Sequence, residues 1–251
     1  MRDTRTLAYI NLYAVLGAIP ELLQYDGEAR ALAEGVNMSV CFSVRGGPCA
    51  TLFFEGGRAY MRDGDEGCKI KIPFSSPEKF NGMIDGTVTP LPIKGIFHVG
   101  FLLGKFAKLT DILTKYLRPS DADLSDKNFR DASTRLLFGV ICRAVCQIGN
   151  EDPVGRASAS YVVDGVIKIA IAGDIEAGIT AKDHRLSAEI GRCPDFRSYM
   201  IFRDIDTARD LFDGKINAVS EVGTGGVRIG GMISQIDNVN RMLDRVSMYL
   251  A

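Results

Sequence analysis

Two apolar runs open matching stretches of this chain. Leu7 to Ile19 and Leu136 to Ile148 are each 13 residues long, and only Arg143 interrupts them with a charge. Thr4-Arg5 precedes the first as Thr134-Arg135 precedes the second. Ala14-Val15 and Ala144-Val145 fall 130 residues apart, and Glu21 and Glu151 follow. A membrane-spanning helix needs about 20 apolar residues, so both runs are too short. A cleaved leader has no reason to recur mid-chain. Both read as buried helices, over Thr4–Leu23 and Asp126–Ile148.

Alternating stretches come next, in a period of two that marks strands with one wet and one dry face. In the first half they are Met38–Val44, Ala50–Phe54, Arg58–Arg62 and Cys68–Ile72. In the second they are Ala159–Val163, Val166–Ala172, Glu176–Ala181, Arg185–Ile190 and Ser198–Phe202. Turn residues separate them, among them Gly46-Gly47-Pro48, Gly56-Gly57, Asp164-Gly165 and Cys193-Pro194. The spacing predicts an antiparallel meander in each half. Each meander runs into a short helix. One starts at Ser75-Ser76-Pro77, with proline tolerated early in a helix; it carries Phe80 and Met83 and ends at Asp85-Gly86. The other starts at Asp204-Ile205-Asp206, carries Leu211 and Phe212, and ends at Asp213-Gly214. A glycine-edged strand follows in each half, Lys94–Gly100 and Gly225–Gly231. Each half then closes on an amphipathic helix, with stripes Leu102, Phe106, Leu109, Leu113, Tyr116 and Ile236, Val239, Leu243, Val246, Leu250. The landmarks repeat at offsets of 128 to 133 residues, which predicts an internal duplication: repeat 1 over 1–120 and repeat 2 over 121–251, joined near Pro119.

Composition narrows the chemistry. The 30 basic and 31 acidic side chains give a formal charge of −1, which excludes nucleic-acid binding driven by phosphate attraction. Cys41, Cys49, Cys68, Cys142, Cys146 and Cys193 show no CxxC spacing, so no zinc-ribbon arrangement is present and reduced thiols of a cytoplasmic protein are expected. Only His98, inside the expected Lys94–Gly100 strand, and His184, in an Asp-His-Arg turn, offer a base. No nucleophile elbow accompanies them. The glycines from Gly223 miss the dinucleotide-binding frame, because Arg228 stands where the third glycine belongs. A local basic patch of Arg192, Arg197 and Arg203 stays open.

From Ile167 to Leu250 the order of elements resembles the sterol carrier protein type 2 family, the sterol-binding domain. The residues that carry the resemblance are Phe202-Arg-Asp204, Ala208, Leu211, Gly214-Lys215, Ala218, Gly226-Val-Arg-Ile-Gly-Gly231 and the stripe ending at Tyr249-Leu250. Asn37 to Leu117 follows the same plan with weaker motif identity. The chain departs from the family at Val222-Gly-Thr-Gly225, where bulky apolar residues are common, and has Pro90-Leu-Pro-Ile93 in the first half. The resemblance implies an α+β protein of two pseudo-repeated domains, each a curved, mostly antiparallel sheet of about five strands covered by helices. It implies an apolar tunnel for a sterol, fatty acid or other long-chain lipid, and neither catalytic machinery nor a cofactor or metal. The expected lining is Phe80, Met83, Phe101, Phe106, Leu109, Leu211, Phe212, Met232, Ile236, Val239, Met242 and Leu243.

Burying about 14 methylenes at ~0.8 kcal/mol each yields roughly 11 kcal/mol gross. Association costs of about 4–15 kcal/mol offset this, leaving affinity near micromolar. The implied activity is binding and transfer of lipid with transient membrane contact. The alternative is an accessory or scaffold protein that presents a hydrophobic intermediate to enzymes of isoprenoid or quinone metabolism.

Overall fold

The computed structural model describes residues 2–193 and 195–250; Met1, Ala251 and the Pro194 of the expected Cys193-Pro194 break lie outside the described residues. The protein is α+β with two mixed sheets and divides into two units, residues 1–132 and 133–251. The expected division at 120/121 comes earlier. Tyr116 stacks on Phe129 at 4.5 Å and the Lys115 ammonium lies over the same ring, so residues past Pro119 still belong to the first unit's packing.

The first unit opens with a helical run over Thr4–Tyr25. Its turns widen to a π-helix over Ile10–Val15 and tighten to a 3-10 helix over Leu16–Ala18, just before Pro20, which has no N–H for the helical ladder. The run and helix Lys127–Glu151 extend beyond the 13-residue apolar stretches and so are long and apolar enough to cross a membrane; 72% of each apolar window is buried in the fold. After a second short helix, Gly27–Ala33, come β1 (Met38–Val44), β2 (Cys49–Glu55), β3 (Arg58–Asp63) and β4 (Ile70–Phe74). Their order is β3-β2-β1-β4, with β4 parallel to β1. The expected meander of about five antiparallel strands is therefore a four-stranded mixed sheet. The loop after β3 carries the chain back to the open edge of β1, where the Lys69 amide donates to the Ser39 hydroxyl. Register puts Val40, Phe42 and Val44 beside Ile70, Ile72 and Phe74, and Val40 beside Leu52, so one sheet face is continuously apolar.

The expected strand over Lys94–Gly100 is not one. Only Lys94 pairs with the sheet, through a single bridge to Lys71. Pro90 and Pro92 cannot donate to a ladder, and Gly95 turns the chain at φ 76° into helical turns that run on to Leu117. A Cβ at Gly95 would lie 2.3 Å from the Lys69 carbonyl oxygen, so the turn needs glycine.

The second unit follows Lys127–Glu151 with a short helix, Pro153–Ala159, then β5 (Gly165–Ile171), β6 (Glu176–Lys182), β7 (Arg185–Ile190), β8 (Ser198–Phe202) and β9 (Val227–Gly231). The expected strand over Ala159–Val163 is instead the end of that short helix and a turn. Asp152 starts the helix by accepting from the Val154 and Gly155 amides, and its local ladder captures Ala159 first. The sheet order is β7-β6-β5-β8-β9, with β8 parallel to β5 and the remaining pairs antiparallel. Ile167, Ile169 and Ile171 stand beside Ser198, Met200 and Phe202. Helix Ile205–Phe212 is capped by Asp204. Ala218–Thr224 is a helix capped by Asn217 and stopped by Gly225 at φ 82°. The closing helix is Ile233–Leu250.

Candidate functional site

In the first unit the apolar sheet face is occupied by phenylalanine rings. Phe80, from helix Pro77–Ile84, meets Phe74 at 5.2 Å and Phe42 at 6.1 Å. Phe106 lies 6.0 Å from Phe42 and 6.4 Å from Phe54, and Phe101 lies 5.6 Å from Phe54 and 6.2 Å from Phe106. Six rings from three strands and two helical segments thus form one connected group, mostly edge-to-face, a favoured aromatic geometry. Phe80 and Leu109 are fully buried, Phe106 nearly so, and Phe101 and Met83 half-buried.

Outside Phe101 the chain is exposed and apolar. Leu91, Ile93, Ile96, Phe97 and Leu103 keep between 64 % and 102 % of their surface in solvent. These exposed residues flank half-buried Phe101 in the chain, and the Phe101 ring in turn meets Phe54 and Phe106.

The second unit is packed differently. Val239 and Met242 are fully buried and Ile236 nearly so. A Cβ at Gly149 would come within 2.8 Å of the Met242 sulfur, so the closing helix lies tight against Lys127–Glu151. Leu211, Phe212 and Leu243 are half-buried, with Phe212 edge-on to Phe202 at 5.6 Å, and Met232 is exposed. Buried Gln235 fixes the start of the helix: its amide donates to the Val163 carbonyl (2.6 Å) and its carbonyl accepts from the Ser198 hydroxyl (2.6 Å).

Two clefts lie elsewhere, and neither is the expected tunnel. One, of about 530 Å³, is lined by Asn150, Arg156, Ser160, Asp183, His184 and Arg185 among others. The other, of about 500 Å³, is lined by Pro20, Leu23, Gln24, Arg30, Arg58 and neighbouring small residues. None of the twelve residues expected to touch ligand lines either cleft. Sequence reasoning missed both clefts. Arg30 and Arg156 each occupy the fourth position of a short helix, and Arg58 and Arg185 each begin a strand.

One polar device recurs, and only the tyrosines hinted at it. Asp26 caps Gly27–Ala33 and accepts from the Tyr116 hydroxyl (3.0 Å); Asp152 caps Pro153–Ala159 and accepts from the Tyr249 hydroxyl (2.5 Å). In each unit the closing helix is thereby locked to the second helix. Arg245 adds an ion pair to Asp152 at 2.7 Å, while Ile112 stands four residues before Tyr116. Burial and the Asp26 carboxylate push the Tyr116 hydroxyl up to about 12. Burial alone raises the Asp152 carboxyl. Hydrogen bonds from Arg245, Tyr249 and the Gly155 amide outweigh it and hold the group below the usual carboxylate range.

The remaining candidates fall apart as a reactive set. His98 sits on an exposed 3-10 turn and His184 at a two-residue hairpin turn with φ 62°. Cys41, Cys68, Cys142 and Cys146 are buried. Of the basic trio, Arg192 faces Glu189, Arg203 pairs with Asp204, and Arg197 packs against Gly165. Among the described residues no group of three or more His, Cys, Asp and Glu side chains is placed to hold a metal ion.

No family model matches the chain, and no curated protein matches it. Among solved structures it is similar to a UbiJ-SCP2 ubiquinone synthesis protein, at 13% identity over 40% of this chain and 86% of that one, with a TM-score of 0.33. It is also similar to a conserved hypothetical protein from Thermus thermophilus described as possibly a sterol carrier protein, at 15% identity over 44% and 83%, TM-score 0.34. A third is apo sterol carrier protein 2 from Yarrowia lipolytica, at 17% identity over 40% and 91%, TM-score 0.30. Likenesses at this level do not assign the chain to a family.

Proposed function

We propose that this protein binds a long-chain lipid (a sterol, a fatty acid or a similar apolar chain) non-covalently and without catalysis, as a tandem of two sterol-carrier-like domains. The observation that carries the reading is the ring group of the first unit, whose outer member Phe101 is half-buried and is flanked in the chain by exposed Phe97 and Leu103. A linear ligand enters by turning Phe101 aside and exchanging ring–ring contacts for ring–chain contacts, so no standing tunnel is required. The tandem reading is supported by the strand orders β3-β2-β1-β4 and β7-β6-β5-β8, and by the aspartate–tyrosine lock in each unit. The second unit's tighter closing helix suits a bracing role.

Gentle purification followed by solvent extraction and denaturing mass spectrometry is the test. A long-chain lipid in the extract, and micromolar binding of a fluorescent fatty acid, are expected. An empty extract together with no fatty-acid binding would overturn the reading. Lipid bound only in complex with a co-purifying enzyme favours the accessory role instead.

A further inference from the structure

The exposed apolar side chains of the first unit cluster in a stretch with unusual charge. Between Gly86 and Thr110 the chain has no acidic residue, and it carries Lys94, Lys105 and Lys108. All three lysines are exposed. The Lys94 ammonium rests on the Cys68 carbonyl oxygen (2.6 Å), and Asp65, the nearby carboxylate, is already paired with Lys71. Lys105 also reaches the Glu34 carbonyl oxygen (3.4 Å), so Leu91, Ile93, Ile96, Phe97 and Leu103 project into water from a segment whose own charges are all positive. The segment is held lightly. It joins the sheet by the single Lys71–Lys94 bridge and the Ile93 amide bond to Lys71, where the second unit has a complete strand, β9. The second unit also exposes Val219, Val222, Met232 and Ile233, but Glu221, Arg228 and Asp237 are interspersed there, so its charge is mixed.

From this charge and exposure pattern we propose that residues 90–108 dock the first unit on an anionic lipid bilayer surface, with Leu91, Ile93, Ile96, Phe97 and Leu103 entering the headgroup region and Lys94, Lys105 and Lys108 facing lipid phosphates. Apolar side chains flanked by lysines are the composition that an interface between water and acyl chains selects. An anionic surface attracts each lysine enough for about a fivefold gain in partition. A protein partner would need matching acidic groups and a shaped apolar pocket, whereas a bilayer takes irregularly spaced side chains in any arrangement. Docking does not depend on whether lipid is carried in the interior.

Vesicle co-sedimentation of the full chain tests it. Binding to vesicles containing about 30 % phosphatidylserine is expected, with markedly weaker binding to pure phosphatidylcholine and loss at high salt. Phe97→Ser combined with Ile96→Ser should abolish sedimentation, and Lys105→Glu with Lys108→Glu should weaken it at least tenfold. All four positions are exposed, so circular dichroism and the thermal midpoint should stay as in the parent. Fatty-acid binding in solution should persist in these variants, which separates failure of docking from failure of lipid binding. No sedimentation of the parent protein, equal binding to both vesicle types, or unchanged binding of the Phe97/Ile96 variant overturns the proposal. So does concentration-dependent dimerisation abolished by the same variant without any vesicle binding.

Discussion

Asp152 shows how much one side chain organises. It caps a helix, accepts the Tyr249 hydroxyl and pairs with Arg245 while only 1 % exposed. Removing one partner of such a buried pair costs about 3–5 kcal/mol, so Asp152→Ala should lower the urea midpoint far more than Tyr116→Phe, whose lost hydrogen bond costs about 1 kcal/mol. The pH dependence has a definite sign. Because the folded carboxyl is held below its ordinary value, the stability it contributes is complete above about pH 4 and is lost as pH falls through the lower folded value. Urea midpoints measured between pH 6 and pH 3 should fall in the parent and fall less steeply in Asp152→Asn, where the other depressed carboxyls, such as Asp213 and Asp204, still titrate. The cysteines make a second prediction at this scale. Burial pushes the Cys142 thiol up to about 12, and Cys146 is raised further. Neither should take up iodoacetamide at pH 8 in the native protein, and both should do so in urea, as read by mass spectrometry. The sequence shows these two thiols four residues apart, a spacing that shares one helix face. It could not show the aspartate–tyrosine lock, whose partners lie 90 and 97 residues apart.

At the scale of elements, patterning predicted what local periodicity determines. Met38–Val44 and Ser198–Phe202 have the expected bounds, because alternation and flanking turn residues agree there. The failures have separate causes. β4 and β8 pair in parallel through a crossover that no local signal encodes. Val162 and Val163 carry strand propensity, but the Asp152 cap propagates helix up to Ala159. Lys94–Gly100 has the glycine edges of a strand, yet Pro90, Pro92 and the left-handed Gly95 divert it. Gly95→Ala should therefore destabilise the first unit by more than about 1 kcal/mol, through positive φ and the clash at Lys69, measured by thermal unfolding. The ring group should respond more strongly. Phe80→Ala removes a fully buried ring with two ring neighbours and should cost about 3–5 kcal/mol, whereas Leu103→Ser, at an exposed position, should stay within about 0.5 kcal/mol.

For the whole molecule, the sequence landmarks at Tyr116 and Tyr249 coincide with the locks that close each unit, and both units share one strand plan with β9 added in the second. The candidate site was legible in part. Phe101 and Phe106 meet on one helical segment whose turns widen over Leu102–Phe106, and Phe80 joins them from helix Pro77–Ile84 through the ring of Phe42. The expected void did not follow from those residues, since the same stripe that would line a tunnel also fills the space when its rings interlock. Whether the rings yield to a guest is decided most directly at Phe101. The chain contains no tryptophan, so Phe101→Trp supplies a single reporter at the mouth of the ring group. Titration with a long-chain fatty acid should shift its emission to shorter wavelength with saturation near micromolar concentration. An emission spectrum that stays fixed up to the solubility limit of the fatty acid, in a variant that unfolds as cooperatively as the parent, would contradict lipid binding at this site.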